Sequence, residues 1–178
     1  MIEANGENEA NLRNVAGRLG PEAKYSIMLL GPEGKEEVPF HLVGTGSSVL
    51  SELTSFKKST IKLPMRTLDG FLAGHECPSP FLMKLDVQGF ELEVLRGGRD
   101  ALSRAELVIL EAALLPYNEG APLFSEVISF MADAGFAVYD FCGQFRRESD
   151  HALFQTDVAF VKKDSDLRKP QRFWLAEP

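Results

Sequence analysis

The stretch FLMKLDVQGFELEVLRGG at residues 81–98 constrains the fold more than any other part of the sequence. Its first half, Phe81–Val87, is an apolar run typical of a strand that is buried on both faces, as in a parallel sheet. Gln88-Gly89 ends the run, and the apolar residues that follow recur with helical spacing before a pair of glycines. The stretch therefore predicts a strand that leads into a helix, with Lys84 and Asp86 near the carboxyl end of the strand.

The rest of the chain extends this alternation of strands and helices. Two predicted strands before the quoted stretch cover KYSIMLLG and EVPFHLV, and three after it cover ELVILEAALL, FAVYDFCG and TDVAFVKK, the last two antiparallel. The predicted helices cover 7–19, a short segment capped by Thr67, residues from Phe90 onward, 99–104 and 122–134. Residues 44–63 are predicted to be a long loop with a short helical turn near 52–56. This order predicts an α/β fold with a mostly parallel sheet, helices on both faces and antiparallel last strands.

Length and composition are those of one ordinary globular domain. The chain has 178 residues, of which 44% are apolar and 25% charged. We predict a single domain over residues 1–163 and a polar C-terminal tail over 164–178. The net charge of −7 argues against nucleic acid or an anionic membrane as the main partner.

The cysteines and the N-terminus favour a cytoplasmic protein. Cys77 and Cys142 form no CxxC motif and are typical of reduced thiols in a chain of this length. The acidic, polar start does not resemble a signal peptide, and no uncharged apolar run approaches the roughly 18 residues of a membrane helix. No zinc-ligand spacing is present, so we predict no metal site.

Acidic residues stand near the predicted ends of three strands, where open parallel sheets bind ligands. They are Glu3, Asp86 and Glu111, and Lys84 shares a strand face with Asp86 because side chains alternate. Each has a structural alternative. Asp86 also suits a turn or helix cap, Lys84 a surface ion pair, Glu111 a satisfied strand-end carboxylate, and Glu3 a disordered terminus.

Two glycines in GTGSS, Gly44 and Gly46, do not support a phosphate-binding loop. A phosphate cradle needs a strand, a glycine turn and a helix N-terminus together, and no helix follows here. The residues alone therefore predict a ligand site at strand ends and leave its chemistry open.

The quoted stretch resembles the signature of FkbM-type methyltransferases, in which lysine, a hydrophobic residue and aspartate end a strand that continues as QG-hydrophobic-E-x-x-V-L-x-G. IEANGENEANLRN, LPMRTLDGFL, the segment from Leu107 to Phe141 and QTDVAFVKK resemble further family segments in the same order. The resemblance covers nearly the whole chain up to about Lys163. It implies a Rossmann-like fold and O-methyl transfer from S-adenosylmethionine to a hydroxyl of a sugar or small metabolite.

The resemblance also implies site residues. Glu3 would bind the ribose hydroxyls of the cofactor, with Asn5 beside it, and Leu30 and Gly31 would flank the adenine. Asp86 would face the methionine part or the reacting centre and, with Lys84 and Glu111, would form the catalytic set.

In the family, a first strand with a glycine-rich turn precedes the segment that Glu3 resembles, whereas this sequence begins at Met1. We therefore expect weak or no binding of S-adenosylmethionine by this chain alone, and open sheet edges that favour a homodimer or a partner chain. The alternative to a methyltransferase is a non-catalytic remnant or interaction module with the same fold. A carboxylate-based metal hydrolase is a third, weaker hypothesis.

Overall fold

A computed structural model describes residues 1–43, 46–53 and 59–169 of the chain. Its nine strands within those ranges are β1 Ile2–Glu3, β2 Ser26–Ile27, β3 Leu29–Leu30, β4 Lys35–Leu42, β5 Ser59–Arg66, β6 Phe81–Leu85, β7 Ala105–Ala113, β8 Phe136–Arg146 and β9 Leu153–Lys162. The helices of the same ranges are α1 Glu9–Leu19, α2 Leu68–Leu72, α3 Glu91–Arg96, α4 Arg99–Arg104 and α5 Phe124–Asp133. Short 3-10 turns span Gly6–Asn8 and Asp166–Arg168. A mixed α/β architecture is thus confirmed.

The sheet is less parallel than the sequence predicts. The strands form three groups, β1-β2, β3-β5-β4 and β6-β7-β9-β8. The β1-β2, β3-β5 and β6-β7 pairs are parallel, but the longer β4-β5, β7-β9 and β8-β9 ladders are antiparallel. The prediction of a mostly parallel sheet is therefore wrong for the described residues, whereas the antiparallel pairing of the last two strands is confirmed.

Two other predictions are corrected between residues 24 and 66. KYSIMLLG forms two short strands instead of one, because β2 pairs with β1 and β3 pairs with β5 in a different sheet. The end of the predicted 44–63 loop belongs to β5, which pairs with β4 along most of its length. The helical turn predicted near 52–56 falls mostly on residues outside the described ranges.

The main core lies against the four-stranded sheet. Alternate residues of β7 are buried, and Val108 and Leu110 have no exposed surface. Leu95 from α3 and Met131 from α5 are equally buried and belong to the same apolar cluster. This packing fixes the two helices against the sheet and so fixes the turn between β6 and α3.

Capping residues determine where two of the short helices begin. The Thr67 hydroxyl accepts a hydrogen bond from the Gly70 N–H at 3.1 Å, which confirms the predicted cap of α2. The Asp69 carboxylate accepts from the N–H groups of Asp100 and Ala101 at 3.0 and 2.9 Å. Since these N–H groups lie at the start of α4, α2 anchors the N-terminus of α4.

The C-terminal segment remains attached to the sheet beyond the predicted domain end at residue 163. Ser165 is buried, and its hydroxyl donates to Glu106 Oε1 at 2.6 Å. Most of the predicted tail, residues 170–178, lies outside the described part of the chain. The division at residue 163 stays a prediction.

Candidate functional site

The carboxyl ends of β6 and β7 bring the three predicted catalytic residues to one place. Lys84 of β6 is in register with Ile109 of β7, so Asp86, which follows β6, lies near the level of Glu111. Asp157 of β9 is directly opposite Glu111 across the antiparallel ladder. Three carboxyl groups therefore meet around a single lysine at this end of the sheet.

Lys84 is held among these acids. Its Nζ atom lies 3.1 Å from Asp86 Oδ2 and 4.0 Å from Asp157 Oδ2. Partial burial lowers the pKa of Lys84, but the hydrogen bond and charge of Asp86, with the charges of Asp157 and Glu111, raise that pKa above its ordinary value overall. The Lys84 and Asp86 side chains are 45% and 48% exposed, so the pair contributes little to folding stability and is free to meet a ligand.

The pKa of the Glu111 carboxyl group lies well above its ordinary value. Burial raises the pKa of Glu111 to about 7, and the charges of Asp86, Glu91 and Asp157 act in the same direction against that of Lys84. Its Oε1 atom accepts hydrogen bonds from Gln155 Nε2 at 2.8 Å and Gln88 Nε2 at 3.3 Å. A carboxyl group that titrates near neutral pH can take or return a proton during a reaction.

Glu91 is a second perturbed carboxyl group, and sequence reasoning did not select it. It is 1% exposed, and burial raises its pKa to about 7. Its Oε1 atom accepts from the N–H groups of Val87 and Gly89 at 2.9 and 3.2 Å. Glu91 therefore closes the turn that follows β6, which is a structural task at the base of the site.

Gln88 was also missed as a site residue. It occupies this turn with a φ of 55°, and its side-chain amide contacts both Asp86 and Glu111. The sequence contained one signal for it, since Gln88 lies between a buried strand and a glycine that starts a helix. That signal marks a turn but not the direction of the side chain.

A cavity of about 590 Å³ opens beside Asp86. This volume is within the roughly 300–1,000 Å³ usual for small-molecule sites. The predicted residues Glu3, Leu30 and Asp86 all line it. The remaining lining is mainly apolar and comprises Met1, Ile2, Ala4, Asn8, Leu12, Met28, Leu29, Phe40, Ser47, Ser48, Val49, Val87, Gln88 and Phe90.

The other two predicted cofactor residues, Asn5 and Gly31, are not among the residues that line the cavity. Asn5 is buried, its N–H donates to Glu3 Oε1 at 2.7 Å, and its own Oδ1 accepts from the Glu7 N–H. Gly31 packs so closely against Met65 that a Cβ atom at Gly31 would lie 2.2 Å from the Met65 sulfur. Asn5 thus orients Glu3, and Gly31 permits the close packing of β3 on β5.

Metal ligands are not grouped in the described part of the chain, where no three His, Cys, Asp or Glu side chains are arranged to hold an ion. Within the same ranges, none of the helices is both long and apolar enough to cross a membrane.

The family comparison gives the site its chemical context. The model of the methyltransferase FkbM domain matches residues 2–138, which is more than half of the chain and includes every predicted site residue. The chain belongs to the FkbM methyltransferase family. The resemblance seen in the sequence is thereby confirmed, and the methyltransferase assignment follows from it. No curated protein and no solved structure matches this FkbM chain.

Proposed function

We propose that this FkbM protein has a Rossmann-like fold and transfers a methyl group from S-adenosylmethionine to a hydroxyl of a sugar or small metabolite. The observation that carries the proposal is the shared cavity, in which Glu3 from the end of β1, Leu30 from the end of β3 and Asp86 from the end of β6 line one space. Ligands of open α/β sheets bind at such strand ends.

The cavity has the chemical character that the cofactor requires. Leu12, Leu29 and Phe40 contribute apolar surface suited to the adenine, and Glu3 contributes a carboxylate suited to the two ribose hydroxyls. The Asn5 N–H already fixes one oxygen of Glu3. S-adenosylmethionine, when bound, supplies a methyl group on a positively charged sulfur.

Asp86 and Lys84 suit the acceptor side of the reaction. Asp86 lines the cavity and also contacts Lys84, so an acceptor hydroxyl that it orients would lie close to the lysine ammonium. Lys84 would stabilise negative charge as it develops on the hydroxyl oxygen. Orientation of two reactants contributes up to about 7–11 kcal/mol to lowering a barrier, which makes positioning the main task of these residues.

The cysteines bear on the location of the protein, and an open sheet edge bears on its partners. The free thiols of Cys77 and Cys142 support a reducing, cytoplasmic location. β6 pairs only with β7 among the described residues, and Leu82 on it is 60% exposed. This open edge supports the proposal that a second copy or a partner chain covers it.

Calorimetric titration of the wild-type chain and the Glu3→Gln variant with S-adenosylmethionine tests the cofactor site. We expect weak or no binding by the chain alone, and a further loss of any measurable affinity in the variant. Transfer of labelled methyl groups to a panel of sugars and small hydroxyl compounds tests the reaction. Absence of both saturable binding and transfer would favour the non-catalytic module instead.

A further inference from the structure

The backbone at Gln88 has a conformation that must be held in place. Its φ of 55° lies in the left-handed region, which a residue with a side chain rarely adopts, and Gly89 follows with a φ of 92°. Such a conformation persists only where the surroundings impose it, and it is frequent at ligand sites. The contacts around Gln88 therefore indicate what the conformation serves.

The main chain at Gln88 is fixed from two sides. Its carbonyl oxygen accepts hydrogen bonds from Asn118 Nδ2 at 2.7 Å and from Ser48 Oγ at 3.1 Å. The N–H groups on either side of it, those of Val87 and Gly89, donate to the buried Glu91 carboxylate. These bonds involve backbone atoms of the turn, so they leave the Gln88 side chain available for another task.

The Gln88 side chain connects two of the predicted catalytic residues. Its Nε2 atom donates to Asp86 Oδ1 at 3.0 Å and to Glu111 Oε1 at 3.3 Å, which employs both amide hydrogens. The reversed amide would place a carbonyl oxygen against two carboxylates, so the chemistry of the neighbours fixes this orientation. Asp86 then has Gln88 on one oxygen and Lys84 on the other.

We propose that Gln88 is a positioning residue of the methyl-transfer site, because its amide ties the Asp86 carboxylate to Glu111 and sets the direction in which Asp86 faces the cavity. The effect of Gln88 on methyl transfer rests on the proposed function, whereas its link between Asp86 and Glu111 rests on the two hydrogen bonds alone. With the amide absent, Asp86 would be held by the exposed Lys84 alone and would be repelled by ionised Glu111.

Gln155 offers a matched control. Its Nε2 atom donates to the same Glu111 oxygen as Gln88 does, and this bond does not involve Asp86. Gln88→Met and Gln155→Met each remove one amide bond from Glu111 and retain a long unbranched side chain. Only the first removes the bond to Asp86.

The first measurement does not depend on activity. In carbon-13-labelled protein at pH 9, the side-chain carboxyl signals of Asp86 and Glu111 are compared among the three proteins. We expect both signals to shift in Gln88→Met and only the Glu111 signal to shift in Gln155→Met. An unmoved Asp86 signal in Gln88→Met, or an equal movement in both variants, would overturn the proposal.

The second measurement separates positioning from folding. Gln88→Gly relieves the positive φ and keeps the main-chain bonds, so we expect an unchanged or higher Tm. We also expect kcat to fall about 10-fold, with an unchanged KM for S-adenosylmethionine. A wild-type kcat in Gln88→Gly would contradict the inference. Lack of methyl transfer in the wild-type protein would count against the proposed function instead, and the carboxyl signals would still decide the role of Gln88.

Discussion

Replacing Glu91 by glutamine should make the folding stability of the protein less dependent on pH. Glu91 is almost fully buried, and burial raises its pKa from 4.5 to about 7, against the effect of the N–H groups of Val87 and Gly89. Glutamine has nearly the same shape and still offers an oxygen to those two N–H groups. The substitution therefore removes the titration of this group while leaving its main hydrogen bonds possible.

The sign and size of the effect follow from the pKa difference between the folded and unfolded chain. A carboxyl group with a higher pKa in the folded state contributes stability that is complete below pH 4.5 and is lost as the pH rises through about 7. A difference from 4.5 to about 7 corresponds to on the order of 3 kcal/mol in the free energy of unfolding. The raised pKa of Glu111 also makes the protein less stable as the pH rises, but Glu111 titrates in both the wild-type protein and Glu91→Gln.

Urea unfolding at pH 5 and pH 8 measures this effect. Between these two values we expect the wild-type protein to lose on the order of 3 kcal/mol more stability than Glu91→Gln loses. Glu93→Gln is the control, because it removes a negative charge from the exposed side of the same helix and no buried carboxyl group. An equal loss of stability in wild type and Glu91→Gln would refute the reasoning.

Three further outcomes are expected. Glu3→Gln should weaken S-adenosylmethionine binding about 10-fold in calorimetry, because a bond to a charged acceptor is lost; unchanged affinity would remove Glu3 from the cofactor site. Asp86→Asn should lower the kcat of methyl transfer about 100-fold in a labelled-methyl assay, and a wild-type rate would exclude an orienting role. Gly31→Ala should lower the free energy of unfolding by about 1 kcal/mol, since its Cβ would meet the Met65 sulfur at 2.2 Å and the buried Met65 side chain would have to shift. The control Gly17→Ala, with open space around its Cβ, should raise stability by about 0.5–1 kcal/mol; equal effects in the two glycine variants would disprove the packing argument.

The sequence predicted the elements whose signals are local. The apolar run from Phe81 predicted β6, and the helical spacing after Gly89 predicted α3. The type of residue at position 67 predicted the N-cap of α2. These predictions succeeded because periodicity and capping act over a few residues. β5 was missed because its lysine, serine and threonine side chains are mostly exposed and dilute the apolar alternation. The division of KYSIMLLG between two sheets depends on which distant strand pairs with each half, and no local pattern contains that information.

In the site, too, the sequence predicted what strand order determines but not the contacts of individual side chains. That Lys84, Asp86 and Glu111 meet could be predicted, because parallel neighbouring strands end at one edge of a sheet. The support of Glu3 by Asn5 could not be predicted, since it depends on the direction of the Glu3 side chain. The packing of Gly31 on Met65 could not be predicted either, since it depends on a distance between separate elements. The role of Gln88 likewise requires the direction of its side chain, which a turn motif does not specify.

The charges around Lys84 bear on which acceptors the site can take. Asp86, Glu111 and Asp157 surround a single ammonium group, so the centre is negative when all three are ionised and less negative when Glu111, whose pKa burial raises to about 7, holds a proton. An anionic acceptor such as a sugar phosphate would be repelled at short range, where like charges cost most. A neutral hydroxyl beside Asp86 avoids that repulsion. Among acceptors of the proposed class, the electrostatics of the centre therefore favour uncharged polyols and sugars over their phosphorylated forms.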